Sequence, residues 1–359
     1  MTLPFQPPLA PMLAKLKESM PSDEGWLYEP KWDGFRAIVF RDAGEVTIIS
    51  RDMKPLNRYF PELVSALSAE LRENCVIDGE VVIPGSYGLD FEALLLRIHP
   101  AESRVKKLAA ESPSSFVAFD LLARGSRDLR DEALEDRRKE LEDALGGAVH
   151  LPRGTTSSGP ELETAVIESL AEGPKLALTP QTDDRRLAEV WFEVFEGAGL
   201  DGIIAKKNDQ RYLPGERAMV KLKHQRTADC VIGGYRLNKT KDGVGSLLLG
   251  LYDDSQTLHY VGHTSSFKAP ERRALLQELG ALEGGTSFGG GRTPGGPSRW
   301  TGAQGASWVA LEPALVCEVA YDHLQGDRFR HATTFKRWRP EKPPLECTFE
   351  QILPAARRR

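Results

Sequence analysis

Cysteine is scarce in this chain: four residues in 359, Cys75, Cys230, Cys317 and Cys347, with no C-x-x-C pair. That excludes the spacing of a zinc module and the disulfide framework of a small secreted domain. Reduced, buried thiols are the expectation. Long apolar runs are missing too. None approaches the roughly 20 residues of a membrane-spanning helix. The amino-terminal stretch is broken by Pro4, Pro7, Pro8 and Pro11, where a secretory signal keeps an apolar segment intact. No G-x-x-x-x-G-K-[ST] occurs, so a P-loop is excluded as a phosphate cradle. The tract Gly284–Pro297, seven glycines in fourteen residues, has neither that lysine nor a preceding strand and reads as a mobile loop. A net charge of −5 excludes a histone-like nucleic-acid coat. What remains is a soluble cytoplasmic protein with 40% apolar and 28% charged residues, able to build cores and long enough for two domains of about 150 residues.

The charge is unevenly distributed. Ile204–Lys241 carries ten Lys/Arg against three Asp/Glu, and Tyr321–Arg359 nine against five, whereas Asp128–Asp143 has eight acids against four bases. Clustered bases can hold phosphates whatever the total, because salt limits the reach of exposed charge to about 8–10 Å.

Apolar spacing predicts a hairpin of Arg36–Phe40 with Val46–Ser50, a helix over Pro61–Arg72, and strands Cys75–Ile83 and Phe116–Leu122. It also predicts helices around Leu129–Leu145 and Leu187–Phe195, and a strand over Gly199–Lys206. After Lys223 the texture changes. Strands are expected at Asp229–Leu237, Ser246–Tyr252, Thr257–Gly262, Ser307–Leu311 and Leu315–Tyr321, with one helix at Pro270–Leu282. That count fits a small OB-type barrel. The expectation is α+β: a domain of antiparallel sheets with helices over 1–225, then an OB-fold β-barrel over 226–359.

The chemistry concentrates in a few segments. Glu29-Pro30-Lys31-Trp32-Asp33-Gly34-Phe35-Arg36 runs into the first hairpin, which places Lys31 at a strand's mouth before a glycine that admits close approach of a ligand. Ser50-Arg51 ends that hairpin. Asp78-Gly79-Glu80 puts two carboxylates in an apolar strand, where they need a cation or a strong donor network to stay ionised. Phe119 offers a ring for a base, Asp201 and Lys206 close the two ends of one strand, and Lys221 and Lys223 alternate onto one strand face. Bases for phosphates, acids for a divalent metal, an aromatic for a purine and one nucleophile candidate together make a nucleotide site.

In this order the segments resemble the covalent nucleotidyltransferases: ATP-dependent DNA ligases, RNA ligases and mRNA capping enzymes. The similarity is greatest to compact bacterial ATP-dependent DNA ligases of the actinobacterial stand-alone kind, related to ligase domains of bacterial end joining. It runs from Pro11-Met12-Leu13-Ala14 to Arg339-Pro340-Glu341-Lys342. The resemblance implies that Lys31 takes AMP from ATP, passes it to the 5′-phosphate of a nick in duplex DNA, and that the 3′-hydroxyl then displaces it. It implies Glu29 and Phe119 at the adenine, and Arg36 and Arg51 at ribose, phosphate and nick. Asp33 belongs to the lysine motif and Lys206 to the nucleotide pocket. Lys221 and Lys223 would lie at the α-phosphate, Glu80 and Asp201 at Mg²⁺ or Mn²⁺, and Arg339 and Lys342 over pyrophosphate once the second domain closes about a hinge near His224–Asp229. A nearby metal and Arg36 would lower the Lys31 pKa. Asp201 and Glu341 stand where the family usually has Glu and Asp. The expected partners are nicked DNA and repair or end-joining proteins, with a monomer acting in the cytoplasm at the nucleoid and no extra amino-terminal DNA-binding domain. An RNA ligase or capping guanylyltransferase shares these motifs and is separated by ATP against GTP and nicked duplex against RNA. A non-catalytic nucleic-acid binding module is the third reading.

Overall fold

The computed structural model describes residues 2–86, 88–159, 161–171, 173, 175–195, 200–224, 226–284, 287–289, 294, 307–322, 324–325 and 327–352. Most of the glycine-rich tract, Trp300 and the terminal arginines 357–359 lie outside them. The chain separates into two compact units, Met1–His224 and Gln225–Arg359.

In the first unit the strands are β1 (Leu13–Leu16), β2 (Trp26–Trp32), β3 (Phe35–Asp42), β4 (Glu45–Ser50), β5 (Cys75–Val82), the short β6 (Pro84–Gly85) and β7 (Gly88–Leu89), β8 (Ser115–Arg124), β9 (Arg127–Asp128), β10 (Val149–His150), β11 (Leu176–Leu178), β12 (Leu200–Lys207) and β13 (Arg217–Leu222). The helices are α1 (Pro61–Glu70), α2 (Phe91–Arg97), α3 (Glu102–Glu111), α4 (Leu134–Ala144), α5 (Glu161–Ala171) and α6 (Arg185–Val194). Two sheets carry the architecture. One has the order β1-β13-β12-β2, the other β10-β11-β8-β5-β3-β4 with β9 on β8. Pairing is antiparallel except for β1 with β13, β11 with β8 and β10 with β11.

Period-two patterning explains how the sheets stack. In β3, Ala37 and Val39 enter the core beneath α1 and α4, while Ile38 and Phe40 enter a second core shared with Met219 of the other sheet and with Met12 and Tyr212, which lie outside the strands. The four-stranded sheet buries its opposite face, including Val220 and Leu222, against Trp191 and Phe195. Strands β5 and β8 are apolar on both faces because both are covered. The charged helix begins at Leu134 rather than Leu129, and Lys31 lies inside β2, a strand that alternation around Pro30 did not reveal.

The second unit contains β14 (Arg226–Leu237), β15 (Val244–Tyr252), β16 (Leu258–Thr264), α7 (Ala269–Leu279), β17 (Val309–Ala310), β18 (Val316–Tyr321), β19 (Leu324–Gln325), β20 (Arg328–Phe329) and β21 (Thr334–Trp338). Its sheet runs β16-β15-β14-β18-β21, all antiparallel, with β17 added to β14. A lone bridge between Thr264 and Thr333 links the two ends of that path, so the OB-type sheet curls without closing into a continuous barrel. The expected strand Ser307–Leu311 shrinks to two residues, and β21, rich in charge, was not foreseen. The four cysteines are unbridged and buried, and burial pushes the Cys75 and Cys347 thiols up to about 12. No described helix is long and apolar enough to cross a membrane.

Candidate active site

Strands β2, β12 and β13 are neighbours, and their pairing brings three charges together. Lys31 Nζ donates to Asp201 Oδ1 at 2.5 Å, and Lys223 Nζ, just past β13, meets Asp201 Oδ2 at 2.9 Å. Burial alone would lower the Lys31 pKa, but Asp201, Asp33 and Glu80 outweigh it and raise it. Arg36 does not assist Lys31 as expected. Its guanidinium pairs with buried Asp78 through Nε and Nη2, at 2.6 and 2.7 Å.

Asp78 has a second partner, the Tyr212 hydroxyl at 2.5 Å, which itself accepts from Met12 N–H at 3.0 Å. Nothing in the sequence signalled Tyr212, because its partner lies 134 residues away. Tyr212→Phe is expected to destabilise the chain by about 1–3 kcal/mol, since it leaves a buried amide and a carboxylate oxygen short of a partner. Urea unfolding of the two proteins would read this, and equal midpoints would contradict it.

Glu80 sits opposite Arg36 across β3–β5 and accepts from Gly34 N–H at 3.2 Å. Burial, with Asp33 and Asp78 nearby, pushes its carboxyl up to about 8 against the pull of Arg36 and Lys31. A carboxyl so disfavoured as an anion fits a hard divalent cation, which would restore its charge. Asp201 already has a lysine on each oxygen, and among the described residues no cluster of three His, Cys, Asp or Glu stands ready to hold a metal. The sequence offers Gly34 as room for a ligand. A Cβ there would lie 2.2 Å from the Val81 carbonyl, so the glycine serves the approach of β5 instead.

On the other side of the site Lys206 pairs with Glu29 at 2.8 Å, both buried, and Gln181 Nε2 donates to Glu29 Oε1 at 2.8 Å. Lys206 Nζ and the Arg36 guanidinium lie 4.8 and 4.4 Å from the centroid of the Phe119 ring. Phe119 lies in the middle of β8. Lys221 has a lowered pKa, from burial and then from Lys223, Lys31, Arg51 and Arg217. Such mutual repulsion among cations is relieved by a bound phosphate. Arg51 is exposed, and Arg217, exposed on β13, joins this group without having been foreseen.

Arg339 and Lys342 belong to the second unit. Arg339 bonds Glu341 at 2.5 Å and Asp229 at 2.7 Å, with Glu318 at 3.7 Å, and Lys342 bonds Glu346 at 2.8 Å. Glu341, the departure from the family pattern, thus orients Arg339.

Residues 7–223 match the family model of the ATP dependent DNA ligase domain, and residues 240–342 that of the ATP dependent DNA ligase C terminal region. The chain belongs to the ATP-dependent DNA ligases. The ligase is 48% identical to DNA ligase C1 of Mycolicibacterium smegmatis, over 98% of this chain and 96% of that protein. It is 47% identical to DNA ligase C of Mycobacterium tuberculosis over the same shares. It also matches, at 31% identity, the multifunctional non-homologous end joining protein LigD of Mycobacterium bovis, over 95% of this ligase but 40% of that protein. Among solved structures, one described as Pmar-Lig_Pre shares the fold with a TM-score of 0.57 at 14% identity, covering 92% of this chain and 68% of that one. The ligase is therefore an ATP-using enzyme, and the RNA-joining and capping alternatives are not favoured.

Proposed function

We propose that this ligase seals nicks in duplex DNA through an AMP carried on Lys31. The observation that supports it most directly is the meeting of Lys31, Asp201 and Lys223 beside the cations around Lys221. Lys31 Nζ attacks the α-phosphorus of ATP, an N–P bond forms, and the bond to pyrophosphate breaks. The AMP then passes to the 5′-phosphate of the nick, and the 3′-hydroxyl displaces it. Lys221 and Lys223 take up charge that grows on the α-phosphate. Arg36 and Arg51 serve the ribose, phosphate and nick, Phe119 faces the base, and Asp33 shapes the field at Lys31. Arg339 and Lys342 take up the departing pyrophosphate. Mg²⁺ or Mn²⁺ held by Glu80, with Asp201 as second acid, would supply charge neutralisation at the phosphates.

The test is incubation with α-labelled ATP and divalent metal, followed by a nicked duplex. Label should join the protein and then leave it as the nick is sealed. Label from GTP in preference, or discharge only onto RNA, would overturn the reading. The raised Lys31 pKa adds a pH prediction. The neutral amine is the nucleophile, and below its pKa its fraction grows tenfold per pH unit. The rate of lysyl-AMP formation should therefore climb about tenfold per unit from pH 6 to pH 8, and a flat profile would contradict Lys31 as the titrating nucleophile.

The named role of the LigD relatives in end joining supports a place in DNA repair for this ligase. It would act as a monomer, recruited by repair or end-joining proteins at the nucleoid, with affinity for DNA falling steeply with salt.

A further inference from the structure

Both oxygens of Glu29 are already engaged. Lys206 occupies Oε2 and Gln181 occupies Oε1, both at 2.8 Å. The carboxylate and the ammonium are almost fully buried, at 3% and 2% exposure, whereas Gln181 is half-buried. A carboxylate only accepts hydrogen bonds, so it decides which end of the Gln181 amide faces it: Nε2 turns toward Glu29 and the carbonyl Oε1 turns away. Two amide orientations that differ little in shape are thereby reduced to one. The backbone is fixed as well, because Thr182 exchanges both hydrogen bonds with Tyr28, the neighbour of Glu29 on β2. No hydrogen bond is seen from a described residue to Gln181 Oε1. Lys206, which anchors this chain of contacts, also lies over the Phe119 ring. An acceptor of fixed orientation thus stands in the cluster that holds the ring fitted to a base.

We propose that Gln181 selects adenine over guanine, its outward carbonyl accepting from the 6-amino group of the purine. Guanine carries a 6-oxo acceptor, which would meet that carbonyl oxygen to oxygen. A purine with nothing at position 6 would leave the carbonyl unpaired. Sites built to bond a particular donor reject analogues that lack it more strongly than apolar pockets reject a change of size. Lys206 and Glu29 act as positioning residues: the first holds the carboxylate, and the second holds the amide. The proposal rests on the nucleotidyl-transfer reading above.

The experiment compares lysyl-nucleotide formation from ATP, GTP and the triphosphate of the 6-unsubstituted purine ribonucleoside. It uses the full chain, Gln181→Met, which keeps the length without the amide, and Gln181→Ala. The unaltered protein should favour ATP over the 6-unsubstituted nucleotide at least about tenfold in kcat/KM. In both variants that preference should fall to within about threefold, with the loss read in KM for ATP and the discrimination against GTP weakened. A role confined to structure would slow all three nucleotides alike and leave their ratio intact. Retention of the ratio in either folded variant overturns the proposal, as does an unaltered protein that does not distinguish ATP from the 6-unsubstituted nucleotide. A protein that takes label from no nucleotide overturns the nucleotidyl-transfer reading, and base selection falls with it.

Discussion

Lys31→Ala is expected to cut transfer of label from ATP to the protein by at least about a thousandfold, because the variant lacks the amine on which AMP is carried. Sealing from ATP should vanish with it. Sealing of a nick already bearing a 5′-adenylate should persist, since attack by the 3′-hydroxyl does not use the Lys31 amine. The two substrates together separate loss of the nucleophile from loss of the fold. The chemical rival is Lys221, whose lowered pKa makes it the more readily neutral amine. Its role as a phosphate cation needs the opposite protonation state, which the charge of bound ATP would restore. Label surviving in Lys31→Ala and mapping to Lys221 would exchange the two roles.

Gly202→Ala should be nearly as damaging although it removes no functional group. Gly202 has φ of +143°, and a Cβ there would fall 1.9 Å from the Leu222 carbonyl oxygen and 3.1 Å from Lys223 Cα. Leu222 pairs with Ile203 across β12–β13, so relief of the clash must spread the two strands where Asp201 meets Lys223. A loss of about 3 kcal/mol or more in stability is expected from backbone strain and overlap combined. Lysyl-AMP formation should fall about a hundredfold, the scale of a small misplacement of reacting groups. Gly147→Ala is the control, since its Cβ would meet nothing within 4 Å and its φ is not positive. Equal urea midpoints and rates for the two variants would refute the argument.

Much of this was legible in the sequence because it depends on local order. The α+β class, the hairpin β3–β4, helix α1 and strands β14, β15, β16 and β18 follow from apolar period and turn residues, which act over a few positions. The motif lysines, acids and arginines are likewise written in short segments whose chemistry is recognisable without coordinates. The absence of a P-loop followed in the same way.

Other features needed long-range pairing. Strand β2 was hidden because Pro30 and the charged residues break its alternation, while its partner Leu200–Lys207 lies some 170 residues away. Arg36 looked like a companion to Lys31, yet only the β3–β5 register shows that Asp78 claims it. Gly34 looked like space for a ligand, and the fold fills that space with the Val81 backbone. Tyr212 and Gln181 carry no motif at all. Their value comes from partners distant in sequence, Asp78 and Glu29, which the sheets deliver. The sequence by itself determined which chemical groups this ligase possesses. The tertiary structure decided which carboxylate holds which cation, and so which donors and acceptors are left for a ligand, because a charge removed from water must find its partner within about 3 Å and only the folded chain fixes that distance.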